Sequence, residues 1–300
     1  MITLALQAMA TRFELVLNGH SPGLRAAGEE ALAEISRVES MLSLYKPTSE
    51  VANLNARAGA EPVRVSAEMF SLLQRAVAFA RETNGAFDIT IAPLVRCWGF
   101  MRGQGSIPTD ADIEAARASV GSQLLELNPT ERSVRFLHPG VMLDFGAFGK
   151  GYAVDTAVEL LRDSGVEAAL LHGGASAVFG FGHAENNLPW RIAVTGAPPA
   201  DEILGLVDLD ETSLSVSAVW GKSFTSHGRT FGHILDARTG RPSERAELAA
   251  VNVPSAGDSD ALSTALLVDG PSGLETFAKN RPSARALVFA GGKIFKHNFE

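Results

Sequence analysis

LDFGAFGKGYAVD, residues Leu143 to Asp155, is the stretch on which the reading of the fold turns. The apolar run Val141, Met142, Leu143 predicts a strand entering it, and Asp144 follows. Gly146, Gly149 and Gly151 come within six positions, with Lys150 between the last two. Ala153, Val154, Ala157, Val158, Leu160 and Leu161 then recur at helical spacing as far as a glycine stop at Gly165. A strand, a glycine-rich turn and a helix start make an anion site, because the first amides of a helix have no internal partner and small residues admit a phosphate. Lys150 adds a positive charge there. The pattern is neither GxGxxG nor GxxxxGK[ST], so neither mechanism carries over. The alternative is a tight turn whose glycines let the helix pack against the strand. These residues alone leave both readings open.

Upstream, Thr3–Leu6 and Phe13–Leu17 alternate as strands, with Phe13, Leu15 and Leu17 on one face. A long amphipathic helix from Leu24 turns Ala27, Ala31, Ile35, Val38 and Leu42 inward and stops before Pro47. Residues 49–59 read as loop or short helix. Ser66 caps a second helix that closes at Asn84-Gly85, and Asp110–Ala118 forms a short third one. A strand is predicted at Ser133–Phe136. Downstream, strands fall at Ala168–Leu171, Val178–Phe181, Trp190–Val194, Leu204–Leu209, Leu214–Ser217, Phe231–Leu235 and Ala249–Val253. A helix over Asp258–Leu267 and a hairpin around Gly291-Gly292 close the chain. Strands outnumber helices without strict alternation, which predicts an α+β fold of mixed and antiparallel sheets with packed helices. The sequence shows no repeat or linker, so 1–300 is taken as one domain without a resolvable internal boundary.

Three hundred residues, 46% of them hydrophobic and 20% charged, are ordinary globular composition with ample core. A net charge of −8 argues against a nucleic-acid or anionic-membrane surface. The lone Cys97 allows no internal disulfide and no CxxC site. No run of about eighteen apolar residues exists, and the N-terminus lacks a basic segment followed by an apolar core. The expectation is a cytoplasmic protein without a membrane span.

Chemistry concentrates at a few points. Asp260 and Thr264 stand at i and i+4, so they share one helix face and offer hard oxygen donors of the type Mg²⁺ accepts when phosphates complete its shell. Helix capping by Asp258, Ser259 and Asp260 accounts for the same residues without a metal. His233 precedes a turn carrying Asp236 and Arg238, and histidine is the natural base near neutral pH. Ser217 and Thr225 are possible polar contacts. No HExxH or GxSxG occurs. Together these residues suit a metal-dependent phosphate-ester site, and their chemistry names no substrate.

Six stretches in order resemble the FAD:protein FMN transferase (ApbE) family. Met9 to Phe13 is similar to its MGTxF, with Ala10 in place of glycine. Leu42 to Pro47, with Ser49, Glu50 and Asn53, is similar to LSxYxPxSexxxxN; Phe87 to Thr90, continuing to Trp98-Gly99-Phe100, to FDxTxxPLxxxWGF. The opening stretch resembles LDLGGIAKGYAVD. His233 to Gly240 resembles HIIDPRTG with Ala237 at the proline, and Asp260 to Thr264 resembles the DALAT metal motif. The resemblance spans nearly the whole chain. It implies a T-fold-related architecture and a Mg²⁺-dependent transfer of FMN from FAD to a threonine hydroxyl of a target flavoprotein, with release of AMP. It also implies that Asp260, Thr264 and the carbonyl of Ala147 hold the metal. Met9, Tyr45, Ala86, Phe87, Asp88, Asp144, Lys150, His233 and Ile234 would line the FAD site, with His233 as base. Ala175 stands where relatives carry the aspartate of NxGGD, and Val216-Ser217-Ala218 where they carry Thr-Ser-Gly. An FAD pyrophosphatase or a non-catalytic flavin-binding protein would use the same pocket.

Overall fold

The computed structural model describes residues 1–19, 22–103, 105–174, 176–197 and 202–300, so Ala175 lies outside the described residues. Two strands, β1 (Ile2–Ala8) and β2 (Thr11–Leu17), open the chain, and Phe13, Leu15 and Leu17 are buried on the predicted face of β2. The next elements are α1 (Leu24–Leu42), α2 (Glu50–Arg57), β3 (Val63–Arg64), α3 (Ala67–Glu82), α4 (Ala92–Cys97), α5 (Asp110–Arg117), β4 (Leu125–Asn128), β5 (Ser133–Phe136) and α6 (Gly149–Asp163). Then follow β6 (Ala169–Gly173), β7 (Ala177–Phe181), β8 (Trp190–Thr195), β9 (Ile203–Leu209), β10 (Thr212–Ala218), β11 (Ser223–Ser226), β12 (Arg229–Gly232), β13 (Leu235–Asp236) and β14 (Arg241–Pro242). The chain ends with β15 (Leu248–Val253), α7 (Ala256–Asp269), α8 (Gly273–Asn280), β16 (Arg285–Ala290) and β17 (Lys293–His297). The fold is α+β with antiparallel pairing, as the element pattern predicts.

The sequence does not resolve an internal boundary, and the structure shows why. The chain divides into two compact units, each discontinuous in sequence. Unit 1 comprises Met1–Glu39, Phe148–Ser217 and Ala246–Glu300; unit 2 comprises Ser40–Ala147 and Ala218–Arg245. The opening stretch itself is cut between Ala147 and Phe148.

Unit 1 is built on a sheet of order β1-β2-β6-β7-β10-β15-β16-β17. Helices α6 and α7 pack on each other, α6 also on β6 and β7, and α7 on β15. Ala153, Val154, Ala157, Val158 and Leu161 form the buried face of α6, as the spacing predicts, whereas Leu160 is half-buried. Gly165 (φ +75°) stops that helix in the left-handed conformation that glycine adopts without strain. Helix α7 is buried on nearly every face, which marks a core helix rather than an amphipathic surface one.

Unit 2 holds α2–α5, a small sheet of order β3-β5-β4, and the ribbons β11–β12 and β13–β14. Its aromatic core joins Leu94, Trp98, Ile113, Phe231 and Leu235. Residues 49–59 resolve as helix α2, capped by Ser49, whose Oγ accepts from Ala52 N–H at 2.9 Å. Two expectations are corrected. Val141–Leu143 is not a strand: the Asn55 side chain takes the place of a neighbouring strand, accepting from Leu143 N–H at 2.7 Å and donating to Leu143 C=O at 3.0 Å. Phe231–Leu235 is broken, because β12 ends at Gly232 and β13 begins at Leu235, leaving His233 and Ile234 between two ribbons. Helices α4 and α8 and strands β3, β4, β11 and β14 are additions that short, mixed sequence patterns do not signal.

Candidate functional site

In unit 1 the start of α6 meets the start of α7. A Cβ on Gly151 would lie 2.1 Å from the Ala256 carbonyl oxygen, so this glycine is what lets the two helices touch. The packing role foreseen for the glycines is therefore correct in kind, but at Gly151 the partner is a helix and not a strand. The Gly151 amide, one of those assigned to an anion, donates to the Asp260 carboxylate at 3.1 Å. Lys150 Nζ stands 3.9 Å from the same Oδ2. Asp260 is 3% exposed. Burial pushes its carboxyl above the usual range, against the opposing pull of the Lys150 ammonium and the Gly151 amide. One turn further along α7, the Thr264 hydroxyl donates to the Asp260 carbonyl at 3.2 Å.

The helix-capping reading of Asp260 fails, because Ser255 is the N-cap of α7 and its Oγ accepts from Asp258 N–H at 3.2 Å. The anion at that helix start is Asp155, the last residue of the opening stretch. Its carboxylate accepts from the N–H groups of Ala256 (2.6 Å) and Gly257 (2.9 Å) and from Ser255 Oγ (2.7 Å). Sequence reading gave Asp155 no role, since its partners lie about a hundred positions away. Met9, also in unit 1, sits in the β1–β2 turn at φ +49° with its N–H donating to Glu39 at 2.6 Å. Ala10 follows at φ +57°, a conformation that costs a residue with Cβ roughly 1 kcal/mol and that the glycine of the MGTxF pattern would adopt without strain.

In unit 2, Tyr45 is 68% exposed, yet partial desolvation, and after it the charge on Asp144, raise its phenol above the usual range. Asp144 Oδ1 accepts from Gly146 N–H at 2.7 Å, folding the glycine turn back on itself. Ala86 and Phe87 are buried. The Asp88 carboxylate takes Thr90 N–H (2.8 Å), Thr90 Oγ1 (2.7 Å) and Ser122 N–H (2.7 Å). The FDxT motif thus ties a loop before it can address a ligand. His233 Nδ1 lies 2.9 Å from Lys222 O and 3.4 Å from Lys222 N. The shorter contact requires a donor, which puts a proton on Nδ1. Phe100 packs edge-on against the same ring. Ile234 C=O accepts from Ser243 N–H at 2.9 Å. Trp98 of the WGF motif donates from Nε1 to the Gly240 carbonyl of the ARTG turn at 2.8 Å, so two motifs 142 positions apart form one support. Thr225 makes a cross-strand contact with Thr230. Ala147 closes the first segment of unit 2.

Lys150, Asp260 and Thr264 are thus gathered in unit 1. Tyr45 and Asp144 are neighbours in unit 2, which also holds His233 and Ile234. Among the described residues no group of three His, Cys, Asp or Glu is placed to hold a metal, and no helix is long and apolar enough to cross a membrane.

The sequence profile of the ApbE family matches residues 9–288. The chain is 29% identical over 279 residues to the FAD:protein FMN transferase of Escherichia coli (strain K12), covering 89% of this chain and 78% of that protein. It is 35% identical over 234 residues to a protein of the same name from Klebsiella pneumoniae (strain 342), covering 76% and 71%. Among solved structures, the apbe protein of Thermotoga maritima superposes with a TM-score of 0.92 at 27% identity, over 99% of this chain and 97% of that one. The apo form of the Pseudomonas stutzeri flavinyl transferase ApbE gives 0.85 at 28% identity, over 98% and 93%.

Proposed function

This chain belongs to the ApbE family, and we propose that it transfers FMN from FAD to a target flavoprotein, using Mg²⁺ and a threonine hydroxyl of the target, with AMP as the leaving group. The observation that carries the reading is the buried Asp260 carboxylate beside Lys150, with Thr264 one turn away. A carboxylate kept in the core against its desolvation cost is suited to receive a cation. The donor set fits Mg²⁺: one carboxylate and one hydroxyl are hard oxygens, and a cation that keeps water and substrate phosphates in its shell needs few protein ligands. Asp260 and Thr264 would hold it, with the Ala147 carbonyl as the third ligand that the family resemblance implies. When bound, Mg²⁺ supplies Lewis-acid polarisation of the pyrophosphate and neutralises charge on the leaving phosphate.

The remaining roles belong to this chain's own groups. Lys150 contributes a fixed positive charge for phosphate oxygens. The exposed ring of Tyr45 offers a flat apolar surface for the flavin, and Met9, Ala86, Phe87, Asp144 and Ile234 complete the assigned FAD residues. Asp88 belongs with them through the loop that its carboxylate fixes. His233, in its neutral form with the proton on Nδ1, takes the proton of the attacking hydroxyl on Nε2. The hydroxyl oxygen then forms a bond to the FMN phosphorus as the pyrophosphate P–O bond breaks, and AMP leaves with that electron pair.

The test is mass spectrometry of FAD incubated with the protein and Mg²⁺, with and without a threonine-bearing acceptor domain. An FMN-sized adduct on the acceptor, lost with EDTA, is expected. Free FMN and AMP without an adduct would point to hydrolysis instead, and FAD left intact would remove catalysis.

A further inference from the structure

Strand β10 carries serine at 213, 215 and 217, and a period of two places all three hydroxyls on one face. That face is buried: Ser213 and Ser215 are 0% exposed and Ser217 is 9% exposed. It packs against Ser259 and Ser263, one turn apart on α7 and both fully buried. Buried hydroxyls are tolerated when each finds a partner, and here the partners fall into two groups. Ser213 and Ser215 both meet Ser259, at 3.0 and 2.7 Å, and Ser213 also donates to Val178 C=O at 2.9 Å. Ser217 instead lies 2.9 Å from Ser263 Oγ and 3.1 Å from Thr264 Oγ1.

The proton count around Thr264 gives this second group a direction. A hydroxyl has one proton and two lone pairs. To lend one lone pair to a cation, Thr264 must point its proton elsewhere, and the Asp260 carbonyl accepts it at 3.2 Å. With the Thr264 proton so placed, Ser217 is the donor in their 3.1 Å contact and fills the other lone pair, and the Ser263 proton goes to the same Asp260 carbonyl at 3.0 Å. One lone pair remains, with its direction fixed by the two bonds.

Resting on the assignment of Thr264 as a cation ligand, we propose that Ser217 is a positioning residue that holds the Thr264 hydroxyl in its metal-binding orientation. Ser215, two residues earlier on the same strand face, is the internal control. Its hydroxyl is buried too, but its partner Ser259 is not assigned to the metal.

The experiment measures Mn²⁺ binding by electron paramagnetic resonance on the full-length metal-free protein, with thermal unfolding in parallel. Mn²⁺ takes the same hard oxygen donors. Ser217→Ala is expected to weaken Mn²⁺ binding about tenfold, the usual order for losing a group that orients a ligand, and Ser217→Cys, a weaker donor of similar size, to fall between. Ser215→Ala is expected to bind Mn²⁺ as the wild type does while losing a similar amount of thermal stability. Equal affinity in wild type and Ser217→Ala would overturn the proposal, and so would equal weakening by Ser215→Ala, which would make the serines a scaffold only. A wild type that binds no Mn²⁺ would overturn the assignment of Thr264, and this proposal with it.

Discussion

Around α7, unit 1 buries a carboxylate and a line of hydroxyls; around Trp98, unit 2 buries stacked aromatic rings. Each interior is closed, but the forces differ. Phe224 and Phe231 stack at 5.2 Å and Trp98 lies 5.6 Å from Phe231, contacts that tolerate small rotations. The α7 seam depends on directional bonds between Ser213, Ser215, Ser217, Ser259 and Ser263, each lost by a displacement of well under 1 Å. An apolar core sets volume, whereas a satisfied polar seam sets orientation. Orientation is what a carboxylate and a hydroxyl need if they are to share a cation.

The comparison breaks most severely at Gly151. Gly151→Ala drives a methyl into the Ala256 carbonyl, and the cost is expected at about 3 kcal/mol in denaturant unfolding; an unchanged midpoint would mean that α6 and α7 can separate freely. In unit 2, Trp98→Phe keeps an aromatic ring but strands the buried Gly240 carbonyl. A loss of about 1–2 kcal/mol is expected there, with the β13–β14 turn exchanging its amide hydrogens sooner.

Asp260→Asn sharpens the contrast through pH. A carboxyl whose folded pKa is raised stabilises the fold below its unfolded pKa, and that contribution is lost as pH rises through the folded value. Asparagine retains an acceptor for the Gly151 amide without the buried charge. The metal-free variant should therefore melt above the wild type at pH 7, and the gap should close below about pH 4, near the unfolded aspartate value. A gap independent of pH would show that the charge of Asp260 carries no desolvation cost.

The smallest effect belongs to Thr212 on β10, whose Oγ1 is buried without a hydrogen-bond partner among the described residues. Thr212→Val should leave stability unchanged or raise it by up to about 1 kcal/mol in chemical denaturation. Its serine neighbours, whose hydroxyls are satisfied, should lose stability on truncation. Equal responses would erase the distinction between the orphan and the seam.

Much of this was legible in the chain. Periodicity located α1, α3, α6 and α7 and most strands of the large sheet, because amphipathic spacing and caps such as Ser66 are local signals. The Asp260/Thr264 pair was visible because i and i+4 share a helix face wherever the helix lies. What distance hid was partnership. Asn55 standing in for a strand beside Leu143, Asp155 receiving the start of α7, and Trp98 holding Gly240 are contacts across 88 to 142 positions. Nothing near those residues announces them. The serines of β10 did leave a trace, since alternating hydroxyls on a strand are unexpected where a face is buried.

The sequence by itself determined the helical and extended segments, the turn glycines and the residue types able to hold a hard cation, since these depend on neighbours a few positions apart. Tertiary structure alone decided that the opening stretch is divided between two units, that the Gly151 amide serves Asp260, and that Ser217 faces Thr264. Those outcomes depend on which elements the whole core brings into contact, and burial then makes each resulting hydrogen bond costly to leave unmade.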